Sequence, residues 1–367
     1  MDPFSFYLPT KIVFGQGEIN KIESYVSPEY QKILIVTDRG VELKSDALNR
    51  IRSLLNTRTI SVFSEVEENP SFSTLNKGKE MAREMGAQLI LGLGGGSPMD
   101  AAKGIAVLAS NNKEMDLYMS GAELDADPLP IVCVPTTSGT GSEATPYAVF
   151  SDTKNQNKGG FAHMGIYPTV SIIDPELTYS MPEELIINTG LDALTHAIEA
   201  YLSTESTVLS DNFSIHAIQI ILENLTHASR KIHDAMDMLS YAAMIGGIAI
   251  SMAGTILLHI MAYPLTVFHH IPHGRANAVL LPEFITFMEK NSMVPEKVTV
   301  IKKLFDGIGG ISGYVNGFGI TTRLSSMGIK EEELKTYVKK TIVKGDIHIT
   351  PAPVSEKDIY QIYKRSM

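Results

Sequence analysis

The chain has 367 residues, of which 44% are hydrophobic and 20% charged, and its formal net charge at pH 7 is −10. This length is enough for two domains with a large core, and the negative charge argues against a nucleic-acid partner, which is usually bound by a basic patch. The single cysteine, Cys133, excludes an intramolecular disulfide framework and is typical of a cytoplasmic protein. Residues 1–9 contain an acid and no long apolar run, so we expect no secretory signal there.

The first half of the chain alternates short apolar runs with stretches of helical spacing. Strands are predicted at residues 32–38, 59–63, 88–93, 129–134 and 169–173, and helices at 41–56, 73–86 and 98–110. Strands that alternate with helices pair in parallel and form a doubly wound sheet. Residues 1–181 are therefore predicted to form an α/β domain with a parallel sheet.

After Met181 and Pro182 the pattern changes to helical periodicity alone. Helices are predicted at residues 183–203, 207–230, 234–262 and 276–290, with further helices near 295–308 and 330–343. Residues 182–367 are therefore predicted to form a second, all-helical domain.

One segment of this helical half is long and apolar enough to cross a membrane. No Asp, Glu, Lys or Arg occurs between Asp237 and Arg275, and residues 242–268 would span a bilayer by length. The segment nevertheless contains His259, Pro264 and many small residues, and no second span of this kind accompanies it. We therefore favour a helix at the centre of the helical domain, and expect no membrane partner.

A glycine-rich turn follows the third predicted strand. The segment Leu91–Lys103 reads LGLGGGSPMDAAK, in which three glycines allow backbone N–H groups to approach an anion and Pro98 suits the first position of a helix. It matches neither Gly-x-Gly-x-x-Gly nor the Walker pattern, and alone it is equally compatible with a plain tight turn. A second loop after a strand, PTTSGTGSE at residues 135–143, offers hydroxyls and further backbone donors. The two loops together predict a nucleotide site at the carboxyl ends of the strands.

Asp38 ends the first predicted strand. A carboxylate there can accept hydrogen bonds from a ribose diol and would repel a 2′-phosphate, which favours NAD over NADP. The alternative is that Asp38 only opens the turn at residues 37–40. Arg39 beside it could also reduce any discrimination between NAD and NADP.

Four possible metal ligands lie in the helical half. Asp192 and His196 are four residues apart on a predicted helix and so share one face. His259 and His273 follow in the apolar segment and just after it. A carboxylate with three imidazoles suits a divalent first-row metal such as Fe²⁺ or Zn²⁺. Taken singly, His259 could be a satisfied core histidine and His273 could cap a turn.

Six motifs follow one another along nearly the whole chain: PTKIVFG at 9–15, ENP at 68–70, GGGSPMD at 94–100, PTTSGTGSE at 135–143, GLDALTHAIEAY at 190–201, and the stretch from His259 to Asn277. In this combination and order, the chain resembles the iron-containing (type III) alcohol dehydrogenase family. The resemblance implies a Rossmann-like N-terminal domain and a helical C-terminal domain, as in the dehydroquinate synthase-like architecture. It also implies that Asp192, His196, His259 and His273 bind the metal.

The same resemblance implies a nicotinamide cofactor, NAD with NADP less expected, and a set of residues that contact it. That set is Asp38, Asn69, Gly95, Gly96, Ser97, Asp100, Thr136, Thr137, Thr140, Val149, Lys158 and Leu177.

The chain departs from the family pattern at one position. Family members often carry a second histidine in His-x-Met-Ala-His-Pro, to which a proton relay is assigned, whereas this chain has Tyr263 there. A phenol has an ordinary pKa near 10, so Tyr263 would substitute poorly near neutral pH. His269 or His270 is an alternative relay, and we expect His259 and His273 to act in catalysis through the metal.

The function expected from these features is hydride transfer between a nicotinamide cofactor and a short-chain alcohol, diol or aldehyde, with the metal as a Lewis acid. We expect the active site in the cleft between the two domains, and at least a homodimer. Within the same architecture the alternatives are a glycerol dehydrogenase-like enzyme and a dehydroquinate synthase-like lyase. The lyase is disfavoured because residues 190–201 and 242–274 contain no Lys or Arg for a phosphorylated substrate. A metal- or nucleotide-binding protein without turnover is the non-enzymatic alternative.

Overall fold

In the computed structural model, which describes residues 3–154 and 156–367, the chain divides into two compact units. The α/β unit is Tyr7–Pro182, and the helical unit is Glu183–Met367 together with residues 3–6. The predicted fold class, a parallel-sheet α/β domain followed by a helical domain, is confirmed. The assignment of residues 1–181 to a dinucleotide-binding domain and of 182–367 to a metal-binding and substrate domain stays a prediction.

The α/β unit is built on a six-stranded sheet. Its strands are β1 Lys11–Phe14, β2 Lys32–Val36, β3 Thr59–Phe63, β4 Leu89–Gly94, β5 Ile131–Pro135 and β8 Val170–Ile173, in the order β1-β8-β5-β4-β2-β3. Every pairing in this sheet is parallel. The helices of this unit are α1 Ile22–Tyr25, α2 Arg39–Lys44, α3 Ala47–Leu54, α4 Phe72–Met85, α5 Gly96–Ser110 and α6 Met115–Met119.

Alternate residues of the strands enter separate cores on the two faces of this sheet. In β2, Ile33 and Ile35 pack with α1 and α3, whereas Leu34 and Val36 pack with α4 and α5. This is the period-2 pattern of a strand buried on both sides, which explains why the strands are apolar without interruption. The strands β2, β4 and β5, which are neighbours in the sheet and apolar after Lys32, end side by side, so their ends can offer polar groups together.

Sequence patterns missed several features of this unit, among them the short helices α1 and α6. The edge strand β1 and an antiparallel hairpin, β6 Tyr147–Asp152 with β7 Asn157–Ala162, were not predicted. The helix predicted at 41–56 is two helices, α2 and α3, because the chain is extended at Ser45. A partly exposed hairpin gives a weak apolar pattern, which is the reason it was missed.

The helical unit contains nine α-helices in its described residues. They are α7 Glu183–Leu202, α8 Val208–Ser229, α9 His233–Ala253, α10 Leu257–His269, α11 His273–Asn291, α12 Pro295–Leu304, α13 Gly310–Asn316, α14 Leu334–Ile342 and α15 Glu356–Arg365. Helix α7 lies at the centre, in contact with α8, α9 and α11. Two glycines allow this close packing: a Cβ on Gly190 would lie 2.5 Å from Leu225 Cδ1, and one on Gly274 would lie 1.9 Å from the Asn188 carbonyl oxygen.

The single helix predicted at 234–262 is wrong. Helix α9 ends at Ala253, Gly254 adopts φ 69° and ψ 179°, and α10 begins at Leu257. A residue with a side chain would be strained at this backbone angle, so the glycine marks the break that the apolar pattern concealed. The break turns the chain and gives His259 a position close to the start of a new helix.

Helix α9 is the one helix in the described residues that is long and apolar enough to cross a bilayer, and 72% of its apolar window is buried inside the protein. A central helix of a folded helical unit has the same composition. The break at Gly254 also shortens the apolar span that was predicted from the sequence.

Candidate metal and nucleotide sites

Three of the four predicted metal ligands converge in the helical unit. One ligand atom each from Asp192, His196 and His259 lies within 4.8 Å of the others, and all three side chains are buried. Asp192 and His196 are one turn apart on α7, and His259 is in the first turn of α10. The Nε2 atom of His259 is 3.7 Å from Asp192 Oδ1. Asp192 and His196 therefore share one face of α7, as their spacing of four residues predicted.

His273, the fourth predicted ligand, borders this cluster at the start of α11. Its ring centroid lies 5.2 Å from that of His259 and 5.5 Å from that of Tyr263, over which it stacks. The structure thus places Tyr263 against the cluster at the position where the resemblance expects a histidine.

Electrostatic interactions within the cluster shift the pKa values of Asp192 and His259. Burial by itself would raise the pKa of Asp192, but His196, His259 and His273 hold that pKa below its ordinary range. Burial lowers the pKa of His259, but the charges of Glu199 and Asp192 outweigh it and raise this pKa to about 9. Asp192 is therefore a carboxylate at neutral pH, and in the metal-free protein His259 carries a positive charge that a metal would replace.

The donor set fits a divalent transition metal. A fully buried carboxylate is costly without a cationic partner, and imidazole nitrogens with a carboxylate oxygen are the ligands that Fe²⁺ and Zn²⁺ accept. The buried amide of Asn277 reinforces the cluster, since its Nδ2 donates to Asp192 Oδ1 at 3.0 Å and lies 3.2 Å from His259 Nε2.

Two polar groups at this cluster were not predicted as site residues. Glu199 is completely buried on α7 and bonds to His259 Nδ1, and Asn277 on α11 bonds to Asp192. The spacing 192, 196 and 199 on one helix face was a signal for Glu199. Asn277 closes the motif stretch that begins at His259, but no spacing within that stretch assigned it a role at the cluster.

The structure does not bring the suggested relay residues into this cluster. His269 lies at the far end of α10, where its Nε2 is 2.5 Å from Tyr337 Oη and 3.2 Å from Glu333 Oε1. His270 is exposed at the end of the same helix in a left-handed conformation, with φ 53°. Their relay role stays a prediction.

The predicted nucleotide loops lie in the α/β unit at the ends of β4 and β5. Gly95 precedes α5, and a Cβ on Gly96 would lie 2.6 Å from Thr140 Cγ2, so the first loop passes directly beside the second. Similarly, a Cβ on Gly95 would lie 3.2 Å from Thr137 Oγ1. The N-terminal N–H groups of a 15-residue helix open into this turn, which is a favourable place for a phosphate.

Asp38 follows β2 and has two uses. Its Oδ1 accepts a hydrogen bond from Val41 N at 3.0 Å and so caps α2, as the structural alternative expected. Its Oδ2 faces the glycine turn, 3.2 Å from the position of a Cβ on Gly94. One oxygen is therefore structural, and the other points toward the predicted nucleotide loop.

Three further predicted cofactor residues form a chain of hydrogen bonds beside the first loop. Ser97 Oγ accepts a hydrogen bond from Asn69 N at 3.0 Å, and Lys158 Nζ donates to Asn69 Oδ1 at 2.6 Å. Asn69 has φ 58°, a conformation that asparagine tolerates better than most residues. The hairpin that carries Lys158 is in this way tied to the glycine turn.

The second loop is supported by a network centred on Lys103, a residue that sequence reasoning did not single out. Its completely buried ammonium donates to Ser142 O, Thr145 O and Tyr147 O at 2.6 to 2.9 Å. Asp100 accepts from Ser142 Oγ and from Val149 N.

Two further predicted cofactor residues, Thr136 and Leu177, follow the strands β5 and β8. Thr136 N donates to Gly94 O at 2.9 Å, which joins the two loops. Leu177 is buried in a short 3₁₀ helix, Pro175–Thr178, after β8.

Comparison with known proteins gives matches along nearly the whole chain. Residues 9–175 match the family model of iron-containing alcohol dehydrogenases, and residues 186–367 match the C-terminal model of the same family. The 1,3-propanediol dehydrogenase of Citrobacter freundii is 32% identical over 99% of this chain and 98% of its own length. The NAD-dependent methanol dehydrogenase of Bacillus methanolicus is 28% identical over 99% of this chain and 100% of its own length. A solved iron-containing alcohol dehydrogenase of Thermotoga maritima is 35% identical with a TM-score of 0.92, covering 99% of both chains.

Proposed function

The chain belongs to the iron-containing alcohol dehydrogenase family, and from this premise we propose that it transfers a hydride between NAD and a short-chain alcohol, diol or aldehyde. The observation that carries the proposal is the convergence of Asp192, His196 and His259 within 4.8 Å in a buried environment. We assign these three residues and His273 as the ligands of Fe²⁺ or Zn²⁺.

The bound metal supplies a Lewis acid that polarises the carbon–oxygen bond of the substrate. The protein supplies the rest of the chemistry through fixed groups. Asp192 stays ionised because three imidazoles surround it, so the ligand set keeps its negative charge at neutral pH. The apolar helices around the cluster exclude water, which strengthens these electrostatic interactions.

The glycine turn at residues 94–97 and the loop at 136–143 are proposed to hold the cofactor pyrophosphate. Support comes from the close approach of the two loops and from the helix N-terminus that opens between them. The second oxygen of Asp38 is proposed to bind the adenosine ribose, which would favour NAD over NADP. The contacts assigned to Asn69, Ser97, Lys158 and Leu177 are part of the same proposal.

The substrate proposal rests on what the relatives are named for and on the lining of the metal cluster. Two full-length relatives are named for 1,3-propanediol and for methanol, both short alcohols. The segments around the cluster carry small and apolar residues without Lys or Arg. A small uncharged substrate fits this composition better than a phosphorylated one. A cytoplasmic location and a homo-oligomer complete the proposal, on the basis of the single buried cysteine and the family respectively.

The test combines metal analysis with turnover. Protein purified without oxygen should contain about one Fe²⁺ or Zn²⁺ per chain and should form NADH from at least one member of a panel of short alcohols and diols. His259→Ala should lose metal and turnover together, because it removes one imidazole of the cluster. The control is His216→Ala, an exposed histidine that packs edge-on against Tyr241 outside the cluster, and it should change neither. Full turnover in metal-free protein would refute the metal assignment.

A further inference from the structure

Glu199 is a completely buried carboxylate, and its surroundings give each oxygen a separate task. Oε1 accepts hydrogen bonds from the backbone N–H of Ile256 at 2.8 Å and of His259 at 3.3 Å. Oε2 bonds to Nδ1 of the His259 ring. A single side chain on α7 thus holds both the backbone and the ring of a residue on α10.

The backbone contacts replace a missing cap. Helix α10 begins after Ile256, whose own side chain gives no capping hydrogen bond. Its first N–H groups would be unsatisfied in a buried environment, and two remote side chains take them: Glu199, and Thr350, whose Oγ1 accepts from Leu257 N at 3.2 Å. A negative charge is also favourable at a helix N-terminus.

The ring contact determines which nitrogen of His259 faces the cluster. A carboxylate can only accept a hydrogen bond, so its partner Nδ1 must carry a proton. Nε2, the other nitrogen, lies on the side of Asp192, 3.7 Å from Oδ1. Metal-binding histidines commonly donate their second nitrogen to a carboxylate in this way, which fixes the ring orientation and the protonation of the ring.

We propose that Glu199 is a positioning residue, which caps helix α10 with one oxygen and, with the other, keeps a proton on His259 Nδ1 so that Nε2 is offered to the metal beside Asp192 and His196. The inference rests on the proposed metal site and adds a residue that does not itself touch the ion. The break at Gly254 ends α9 and starts α10 at Leu257, where the first N–H groups of α10 lie against Glu199.

The substitution Glu199→Gln separates the two tasks. The amide oxygen of glutamine can still accept from Ile256 N and His259 N, so the cap is retained. The amide nitrogen then lies against His259 Nδ1 and can only donate, which makes Nδ1 an acceptor and leaves the ring proton on Nε2. The reverse amide orientation would direct a donor at two backbone N–H groups and leave both without an acceptor.

The experiment measures zinc affinity by competition with a chelator, the melting temperature of the metal-free protein, and the protonation of His259 Nδ1 by ¹⁵N NMR. We expect Glu199→Gln to weaken zinc binding about 10- to 100-fold, the range seen when such an outer partner is removed. Its melting temperature should fall less than that of Glu199→Ala, because the cap is retained and only the charge next to His259 is lost, and Nδ1 should lose its proton. Glu199→Ala should weaken zinc binding and also lower the melting temperature.

Thr350→Val is the matched control, because it removes the other cap of α10 without a change at the His259 ring. It should lower the melting temperature and leave zinc affinity unaltered. Zinc affinity of Glu199→Gln within twofold of the wild type, or a proton retained on Nδ1, would overturn the proposal. A melting temperature of Glu199→Gln as low as that of Glu199→Ala would also overturn it. The loss of zinc affinity would then be explained by loss of the cap of α10. Failure of the wild type to bind zinc would instead count against the metal site, while the NMR comparison would still test Glu199 in the metal-free protein.

Discussion

Both units of the molecule bury charged side chains, but they satisfy them in different ways. In the α/β unit, the Lys103 ammonium is surrounded by backbone carbonyls and hydroxyls of residues 142–147, which are all acceptors. In the helical unit, the lone-pair atoms of Asp192, His196 and His259 face one another. A buried charge whose partners are all fixed by the protein stabilises a loop, whereas converging ligand atoms form a site for a cation from outside.

The substitution Lys103→Met tests whether the buried ammonium stabilises the α/β unit. The substitution removes a donor from three backbone carbonyls, and a buried polar group left unsatisfied typically costs about 1–3 kcal/mol. We expect a large decrease in the melting temperature of the α/β unit and weaker NAD binding, while zinc content per folded chain is unchanged. Calorimetry with metal analysis checks both results.

The control for Lys103→Met is Lys77→Met. Lys77 pairs with Glu65 at 3.0 Å on the surface of the same unit, with a side chain 59% exposed. Exposed pairs contribute about 0–1 kcal/mol, so this variant should melt near the wild type. Equal melting of the two variants would show that the buried ammonium has no special structural role.

The contrast between these two charge clusters also explains what the sequence could predict. The glycine turn, Asp38 and the pair Asp192 and His196 depend on local spacing, so they were recognisable from single segments. Glu199, Lys103 and Asn277 act through partners about 40 to 90 positions away in the chain. Their roles depend on tertiary contacts that no local periodicity encodes.

The elements of the fold were likewise predictable where the local sequence pattern is strong. Strands buried on both faces and long helices gave strong patterns, and the parallel sheet and helical unit were predicted correctly. The hairpin Tyr147–Asp152 with Asn157–Ala162 and the break at Gly254 were missed. In the first case one face is polar or glycine-rich, and in the second the apolar composition continues through the break. Non-helical backbone at residues 254–256, which begins with φ 69° at Gly254, separates the two helices.

The second prediction tests whether the metal site is charged in the absence of metal. The pKa of His259 is raised in the folded protein to about 9, from an ordinary value of 6.5, by the charges of Glu199 and Asp192 that outweigh burial. A raised pKa on a base stabilises the fold below the unfolded value, and that contribution is lost as the pH rises through the folded value. The metal-free protein should therefore lose stability between about pH 7 and pH 9.

His259→Gln is the reference for this measurement, since it removes the titrating ring and leaves every other ionisable group in place. The difference in melting temperature between pH 7 and pH 9 should be larger in the wild type than in this variant. Saturating zinc should also reduce the difference, because the metal replaces the proton. Equal pH dependence in the wild type and the variant would show that His259 is uncharged in the metal-free site.

The smallest expected effect is at Asp38, a partly buried carboxylate that combines a structural contact with a free oxygen at the predicted cofactor loop. One of its oxygens caps α2 and the other faces the glycine turn. Asp38→Ser keeps a capping hydroxyl but removes the charge that would repel a 2′-phosphate. We expect relative use of NADP, measured as the ratio of kcat/KM for NADP and NAD, to rise about tenfold, which corresponds to about 1.4 kcal/mol. The melting temperature should change little because the cap is conserved. An unchanged cofactor ratio would assign Asp38 to the cap alone, and Arg39, which pairs with Glu42 at 3.7 Å, would then be the next position to vary.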